Sequence, residues 1–135
     1  TPKEFTEDDV PVEEVLAERL IKAAYPHINI LRLAGLMGCD RQLKNYKVSN
    51  LDLPVNHVHY ADVCAVIKAM IEQRSSSKLY NVVAPMHPSK AEVISGRLAA
   101  TDTTNATQGK TVASRKLISE LGYKFKFPNP MLFDQ

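Results

Sequence analysis

The sequence predicts an α/β fold in which short parallel strands alternate with helices. Residues 28–33 and 79–83 are short, mostly apolar runs of the kind that is buried in a parallel sheet. Between them, residues 62–73 carry apolar side chains at helical spacing. The chain has 135 residues and a hydrophobic content of 44%, which is enough for one core. We therefore expect residues 1–135 to form a single unit.

The first helix is predicted over residues 11–24, where apolar residues recur at steps of three and four. Asp9 is a candidate cap for this helix, and Pro11 suits its first turn, where a missing amide has no consequence. Pro26 ends the helix, and the strand at residues 28–33 follows it.

The central part of the chain is predicted to contain a loop, a strand and a helix. Residues 39–54 are polar and show no sustained period, which indicates a long loop. A strand at residues 55–59 leads into the helix of residues 62–73, for which Asp62 is a good cap. We expect the helix to turn these apolar side chains inward: Val63, Val66, Ile67, Met70 and Ile71. The order strand, helix, strand favours a parallel pair between residues 55–59 and 79–83.

A further helix is predicted over residues 89–98. Ser89 and Glu92 have the spacing of a capping box, in which each side chain satisfies a backbone amide of the other residue. Residues 99–109 are rich in Thr, Ala and Asn without periodicity, which indicates a loop.

The last elements are a strand, a short helix and a tail. Residues 110–113 favour the strand, Ser114 is a candidate cap for the helix, and Gly122 suits its left-handed end. Phe125 and Phe127 then lie in an apolar tail that we expect to be extended.

Composition argues against several classes of function. Seventeen Lys and Arg against fifteen Asp and Glu give a formal charge of +2 with no basic block, so nucleic-acid binding has no electrostatic support. No apolar run approaches the roughly 20 residues that span a bilayer, so we expect no membrane partner and a cytoplasmic location. Cys39 and Cys64 lack a zinc-ligand spacing, which favours free thiols and no metal site.

Four segments of the chain match, in order, the patterns of one known family. Residues 30–38 read Ile-Leu-Arg-Leu-Ala-Gly-Leu-Met-Gly, and residues 58–63 read Val-His-Tyr-Ala-Asp-Val. Residues 79–83 read Leu-Tyr-Asn-Val-Val, and residues 112–128 contain Ser-Arg-Lys-Leu, Leu-Gly-Tyr and Phe-Pro. These segments resemble the carboxyl-terminal half of extended short-chain dehydrogenases and nucleotide-sugar epimerases, and the resemblance covers nearly the whole chain.

The resemblance implies the late strands and helices of a doubly wound, Rossmann-like parallel sheet with a small irregular lobe on the substrate side. In the family, the glycine-rich phosphate turn and its acidic ribose partner lie in the amino-terminal half, and no such glycine cluster occurs here. NAD or NADP is therefore expected in the complete protein but not on this chain alone. The family's Tyr-x-x-x-Lys pair is also absent from the first helix, so the catalytic residues are unknown.

The resemblance also suggests binding residues. It places Gly35 and Gly38 beside the cofactor, where glycine permits close approach to a nicotinamide ring, and the alternative is two simple turn glycines. Arg41 resembles arginines that pair with a substrate phosphate in sugar-nucleotide enzymes. The alternative for Arg41 is a solvated loop side chain.

Several other polar residues have a structural and a functional interpretation. His57 and His59 point to one face of a strand, which permits a metal pair, but a hydrogen-bonded histidine at the strand–helix junction is favoured because no third ligand is near. We assign His59 to the substrate side. Arg32 is interpreted as a structural tie, and Asn81 is expected to bond neighbouring backbone.

Two functions remain open at this point. The first is a nicotinamide-dependent epimerase, dehydratase or reductase that acts on a nucleotide sugar or similar small polar substrate, of which this chain alone is inactive. The second is a ligand-sensing or protein-association module on the same scaffold. The exposed edge of a half sheet favours either a missing amino-terminal segment or a homo-dimer. A proteolytic or crystallisation fragment is a third reading.

Overall fold

The computed structural model describes residues 2–97 and 109–133. Within these ranges the chain forms six short strands and four helices. In chain order they are β1 (Lys3–Phe5), α1 (Leu16–Ala24), β2 (Ile30–Leu33), β3 (Gly35–Met37), β4 (His57–His59), α2 (Tyr60–Glu72), β5 (Leu79–Val82), α3 (Lys90–Ser95), β6 (Lys110–Val112) and α4 (Arg115–Leu121).

The described strands pair in parallel: β1 with β6, β2 with β5, and β3 with β4. This arrangement confirms the α/β class with parallel strands. β1 was not predicted from the sequence, because a three-residue strand is too short to show a period. Of the loop predicted at residues 99–109, residues 99–108 lie outside the described residues.

The parallel pair predicted between the strands that flank α2 is wrong. β5 pairs with β2, and β4 pairs with β3. The reason is that the segment from β2 to β3 changes partner in its middle. The amide of Ala34 donates to the Val82 carbonyl, whereas the amide of Gly35 donates to the Asn56 carbonyl. The segment from β2 to β3 therefore pairs with both β5 and β4.

The hydrophobic core lies where α2 and α4 pack on β4 and β5. The most deeply buried apolar side chains of this core are Val58, Val66, Tyr80, Val82 and Leu117. Burial of each such side chain contributes roughly 1.5–3 kcal/mol. The core is thus the main source of stability that the described residues provide.

Two helices keep apolar side chains at the surface. Val63, Val66 and Met70 of α2 are buried as predicted, but the inward direction predicted for Ile67 and Ile71 is wrong, because they lie on the helix flank and are 44% and 71% exposed. They line an open groove of about 430 Å³, here called the outer groove, with Asn29, Leu31, Met70, Arg74 and Ser75. The apolar side chains of α1 are exposed as well, and no residue of this helix is buried.

The expected cap of α2 is wrong. His59 occupies the cap position, and its Nδ1 accepts a hydrogen bond from the Ala61 amide at 3.1 Å. Asp62 is fully buried instead and accepts from the amides of Lys126 and Phe127 at 2.7 and 3.0 Å. The helix also starts two residues earlier than predicted, which places Asp62 inside its first turn rather than before it.

The ends of α3 and α4 confirm some of the predicted caps and contradict others. The Ser89–Glu92 capping box is confirmed, but α3 ends before residue 98 because Gly96 takes a left-handed conformation. Gly122 ends α4 as predicted. The side chain of Ser114 does not cap α4, since its hydroxyl donates to the Val83 carbonyl.

The first helix also differs from its prediction. α1 begins at Leu16 after a 3-10 turn at Val12–Val15. Asp9 does not cap it, because its carboxylate accepts from the amide and the hydroxyl of Thr6 in a separate turn.

Candidate functional site

A cavity of about 250 Å³ is lined by Met37, the last residue of β3, and by His57, the first residue of β4, and we call it the lobe cavity. Three separate segments form its walls: the loop after β3, the end of α3, and the tail near residues 130–133. Its lining residues are Met37, Arg41, Gln42, Leu43, Lys44, His57, Val93, Ile94, Ser95, Gly96, Pro130, Met131 and Phe133. Ligands of open α/β sheets bind in crevices at the carboxyl-terminal ends of strands, and the loop after β3 begins at such an end, so the lobe cavity is the candidate site.

The lobe cavity carries two cations on the loop after β3. Arg41 and Lys44 both line it and are exposed to solvent. A tight turn fixes the start of the loop, because the amides of Gly38 and Arg41 each donate to the other residue's carbonyl at 2.8 and 2.9 Å. Cys39 supplies the positive φ, 55°, that this turn requires. The arrangement can attract an anionic group such as a phosphate.

His57 is the buried polar group of the lobe cavity, with 9% of its surface exposed. Burial, and to a smaller extent the positive charge of Lys90, lower the pKa of His57 to about 4. The imidazole is therefore neutral at pH 7, with one ring nitrogen that donates and one that accepts.

The low pKa of His57 predicts that acid destabilises the folded chain. The unfolded chain protonates this imidazole near its ordinary pKa of about 6.5, whereas the folded chain does so only near pH 4. The contribution of neutral His57 is complete above pH 6.5 and is lost as the pH falls towards 4. We expect the urea midpoint to drop between pH 7 and 4.5, and to drop less in His57→Gln. His27→Gln, a change at an exposed histidine, is the control and should follow the wild type.

His59 stands behind the cavity wall rather than among its lining residues. It is 4% exposed and caps α2, as the structural interpretation of this histidine predicted. Its ring stacks on Phe127 with centroids 3.8 Å apart and meets Phe133 edge-on at 5.4 Å. Burial lowers the pKa of His59, although the nearby Asp62 carboxylate acts in the opposite direction. The geometry makes His59 a support for the wall that Phe133 forms.

The two glycines allow β3 and the turn after it to lie against the histidines. A Cβ on Gly35 would come within 2.9 Å of the His57 ring, and one on Gly38 within 2.8 Å of His59 Nε2. Gly38 also has a φ of 121°, which side chains rarely adopt. Protein atoms thus occupy the space that each glycine leaves open, and a cofactor role for these residues stays a prediction.

The tail residues that line the lobe cavity were not predicted individually. Pro130, Met131 and Phe133 are brought to the site because Asp62 holds the preceding backbone. The sequence showed an apolar tail rich in proline and phenylalanine, and this was the available signal. The partner that fixes the tail lies more than 60 residues away and leaves no local pattern.

Arg32 and Asn81 are structural, as predicted. The Arg32 guanidinium binds the Glu18 carboxylate at 2.9 Å and donates to the Glu7 carbonyl at 2.8 Å. The Asn81 side chain donates to the Ala113 carbonyl, and the backbone amide of Asn81 donates to the Glu7 carboxylate. These contacts of Glu7 with Arg32 and with Asn81 of β5 were not predicted.

In residues 2–97 and 109–133, no group of three His, Cys, Asp or Glu side chains could hold a metal ion. No helix in the same ranges is both long and apolar enough to cross a membrane.

Comparison with known proteins supports the fold. No family model matches the chain. The chain is 26% identical over 145 residues to Protein YeeZ of Escherichia coli strain K12, a match that covers 98% of this chain and 53% of YeeZ. The chain thus spans about half the length of the curated relatives it matches.

Solved structures also match nearly the whole of this chain and somewhat more than half of their own chains. The human epimerase family protein SDR39U1, solved with NADPH, superposes with a TM-score of 0.68 at 17% identity and covers 98% of this chain and 59% of the human one. The UDP-N-acetylglucosamine 4-epimerase of Bacillus cereus has a TM-score of 0.65 at 13% identity, over 96% of this chain and 54% of the epimerase. The chain therefore has the fold of about half of an NAD-dependent epimerase/dehydratase, and the resemblance to extended short-chain dehydrogenases is confirmed at the level of the fold.

Proposed function

We propose that the complete protein is a nicotinamide-dependent epimerase, dehydratase or reductase acting on a nucleotide sugar or a similar small polar substrate. The observation that carries this proposal is the lobe cavity, with Arg41 and Lys44 at its rim. A planar guanidinium and an ammonium group are together suited to the phosphates of such a substrate. The similar solved structures of the human epimerase family protein, which contains NADPH, and of the Bacillus cereus UDP-N-acetylglucosamine 4-epimerase support the same class.

The described residues, 2–97 and 109–133, do not make a cradle for a dinucleotide. The space beside Gly35 and Gly38 is filled by His57, His59 and Tyr60, and no glycine-rich turn occurs in the sequence. We propose that a segment outside this sequence holds NAD or NADP, and that this chain alone binds neither and has no turnover. In the complete cytoplasmic protein, this chain would bind and orient the substrate, while the cofactor would supply hydride chemistry.

A titration of the chain with UDP-N-acetylglucosamine and with NADPH tests this division. We expect the sugar nucleotide to bind, because the phosphate contacts of the lobe cavity do not depend on the absent cradle, and we expect no detectable binding of NADPH. Replacement of Arg41 by alanine should weaken sugar-nucleotide binding about tenfold, the effect of losing one charged hydrogen bond. Arg19→Ala, which removes an exposed arginine on α1, is the matched control. Equal loss in both variants, or tight NADPH binding, would contradict the proposal.

A second candidate is a non-enzymatic module for ligand sensing or protein association. The observation that favours it is the exposed apolar face of α1, where Leu16 and Leu20 are 57% and 65% exposed. Such a face is suited to cover by a further segment of the same protein or by a second copy in a homo-dimer. Sugar-nucleotide binding that does not respond to Arg41→Ala would favour this candidate.

A further inference from the structure

The lobe cavity combines a charged rim with an uncharged polar floor. His57 forms the floor and is about nine-tenths buried. Among residues 2–97 and 109–133, no hydrogen bond joins its ring to another group, although the ring lines the cavity. No fully buried polar side-chain atom of the described part lacks a partner, so the His57 ring nitrogens, which have no partner, keep some accessible surface, and His57 lines the cavity. A buried imidazole without a partner is costly unless water or a ligand bonds to it.

The position of the His57 ring is fixed by packing. Its Cδ2 edge lies against Gly35, where a Cβ would approach to 2.9 Å, so the ring cannot move towards β3. The ring is neutral at pH 7 because burial and Lys90 both disfavour its charged form. A neutral imidazole accepts a hydrogen bond from a hydroxyl and donates one to a carbonyl, but it does not attract a second anion.

We propose that His57 is a specificity-determining residue, and this proposal rests on the function proposed above. Its ring hydrogen-bonds an uncharged hydroxyl or amide group of the ligand, and the phosphate of the same ligand lies at Arg41 and Lys44. The ligand class is therefore a phosphorylated polyol, with its anion at the rim and a neutral polar group at the floor. A cavity of about 250 Å³ is smaller than the roughly 300–1,000 Å³ of pockets that enclose a whole drug-sized ligand, so it would hold the small polar part of such a ligand and leave the rest outside.

Calorimetric titrations of the 135-residue chain with three probes test the assignment. The probes are UDP-N-acetylglucosamine, inorganic pyrophosphate and N-acetylglucosamine. We expect His57→Phe to weaken binding of the sugar nucleotide about tenfold and to leave pyrophosphate binding unchanged. His57→Gln retains a donor and an acceptor and should stay within about threefold of the wild type. Thermal unfolding of both variants verifies that they are folded.

A direct readout separates ligand contact from a structural role. The ring nitrogen resonances of His57 should shift when the sugar nucleotide is added and stay in place with pyrophosphate. UDP is a further probe that identifies the source of the neutral group. If His57→Phe also weakens UDP binding, the neutral group belongs to the nucleoside rather than to the sugar.

The outcomes distinguish this inference from the proposed function. If Arg41→Ala weakens sugar-nucleotide binding while His57→Phe does not, the role of His57 is refuted and the proposed function stands. If His57→Phe weakens N-acetylglucosamine binding while Arg41→Ala changes nothing, the anion site is refuted and the role of His57 stands. Failure of every probe to bind the folded wild-type chain refutes both.

Discussion

Replacement of Asp62 by alanine is expected to destabilise the folded chain by about 3 kcal/mol or more, since several donors to a buried charge lose their acceptor. The Asp62 carboxylate is fully buried and accepts from the amides of Lys126 and Phe127 and from the Tyr123 hydroxyl. Burial, and then the hydrogen bond to Asp62, raise the pKa of Tyr123, which keeps this hydroxyl a donor. Urea unfolding at pH 7 measures the loss.

The same change should also open the lobe cavity. The tail that Asp62 holds carries Phe127, which stacks on His59, and leads to Phe133 in the cavity wall. We therefore expect faster proteolysis of the tail and weaker sugar-nucleotide binding in Asp62→Ala. Asp52→Ala, which removes an exposed loop carboxylate, should stay within about 0.5 kcal/mol of the wild type. An Asp62→Ala chain as stable as Asp52→Ala would show that the tail is not held in this way.

Replacement of Leu117 by alanine is expected to cost about 2–5 kcal/mol, because it leaves a cavity in the core. Leu117 is 0% exposed and packs where α4 meets α2 and β5. The shift of the urea midpoint at constant slope measures the effect.

The control for this experiment also reports on association. Leu20 lies on α1 and is 65% exposed, so Leu20→Ala should change the stability of an isolated chain by less than about 0.5 kcal/mol. A loss comparable to that of Leu117→Ala would contradict exposure of α1 in solution. It would indicate that another copy covers this helix, and the unfolding midpoint would then depend on protein concentration.

The candidate site was predicted in part. Arg41 was selected from its loop position, and it lines the lobe cavity. His57 was noticed only as the neighbour of His59 in a strand pattern, yet it is His57 that reaches the cavity and His59 that caps α2. The pattern places both side chains on one face of β4, and both are buried, but only the tertiary structure shows that His57 lines the lobe cavity and His59 does not.

The sequence by itself determined the features that depend on near neighbours. The α/β class, the Ser89–Glu92 capping box and the glycine end of α4 follow from spacing within one or two helical turns, where side chain and backbone meet whatever the rest of the chain does.

Only the tertiary structure decided which strands pair, what Asp62 binds and which segments enclose the lobe cavity. These features join groups that are far apart along the chain, such as Asp62 and Phe127. Periodicity tells which side chains share a face, but it does not tell what packs against that face. For this reason Ile71 looked like a core residue and is exposed, while Asp62 looked like a surface cap and is buried.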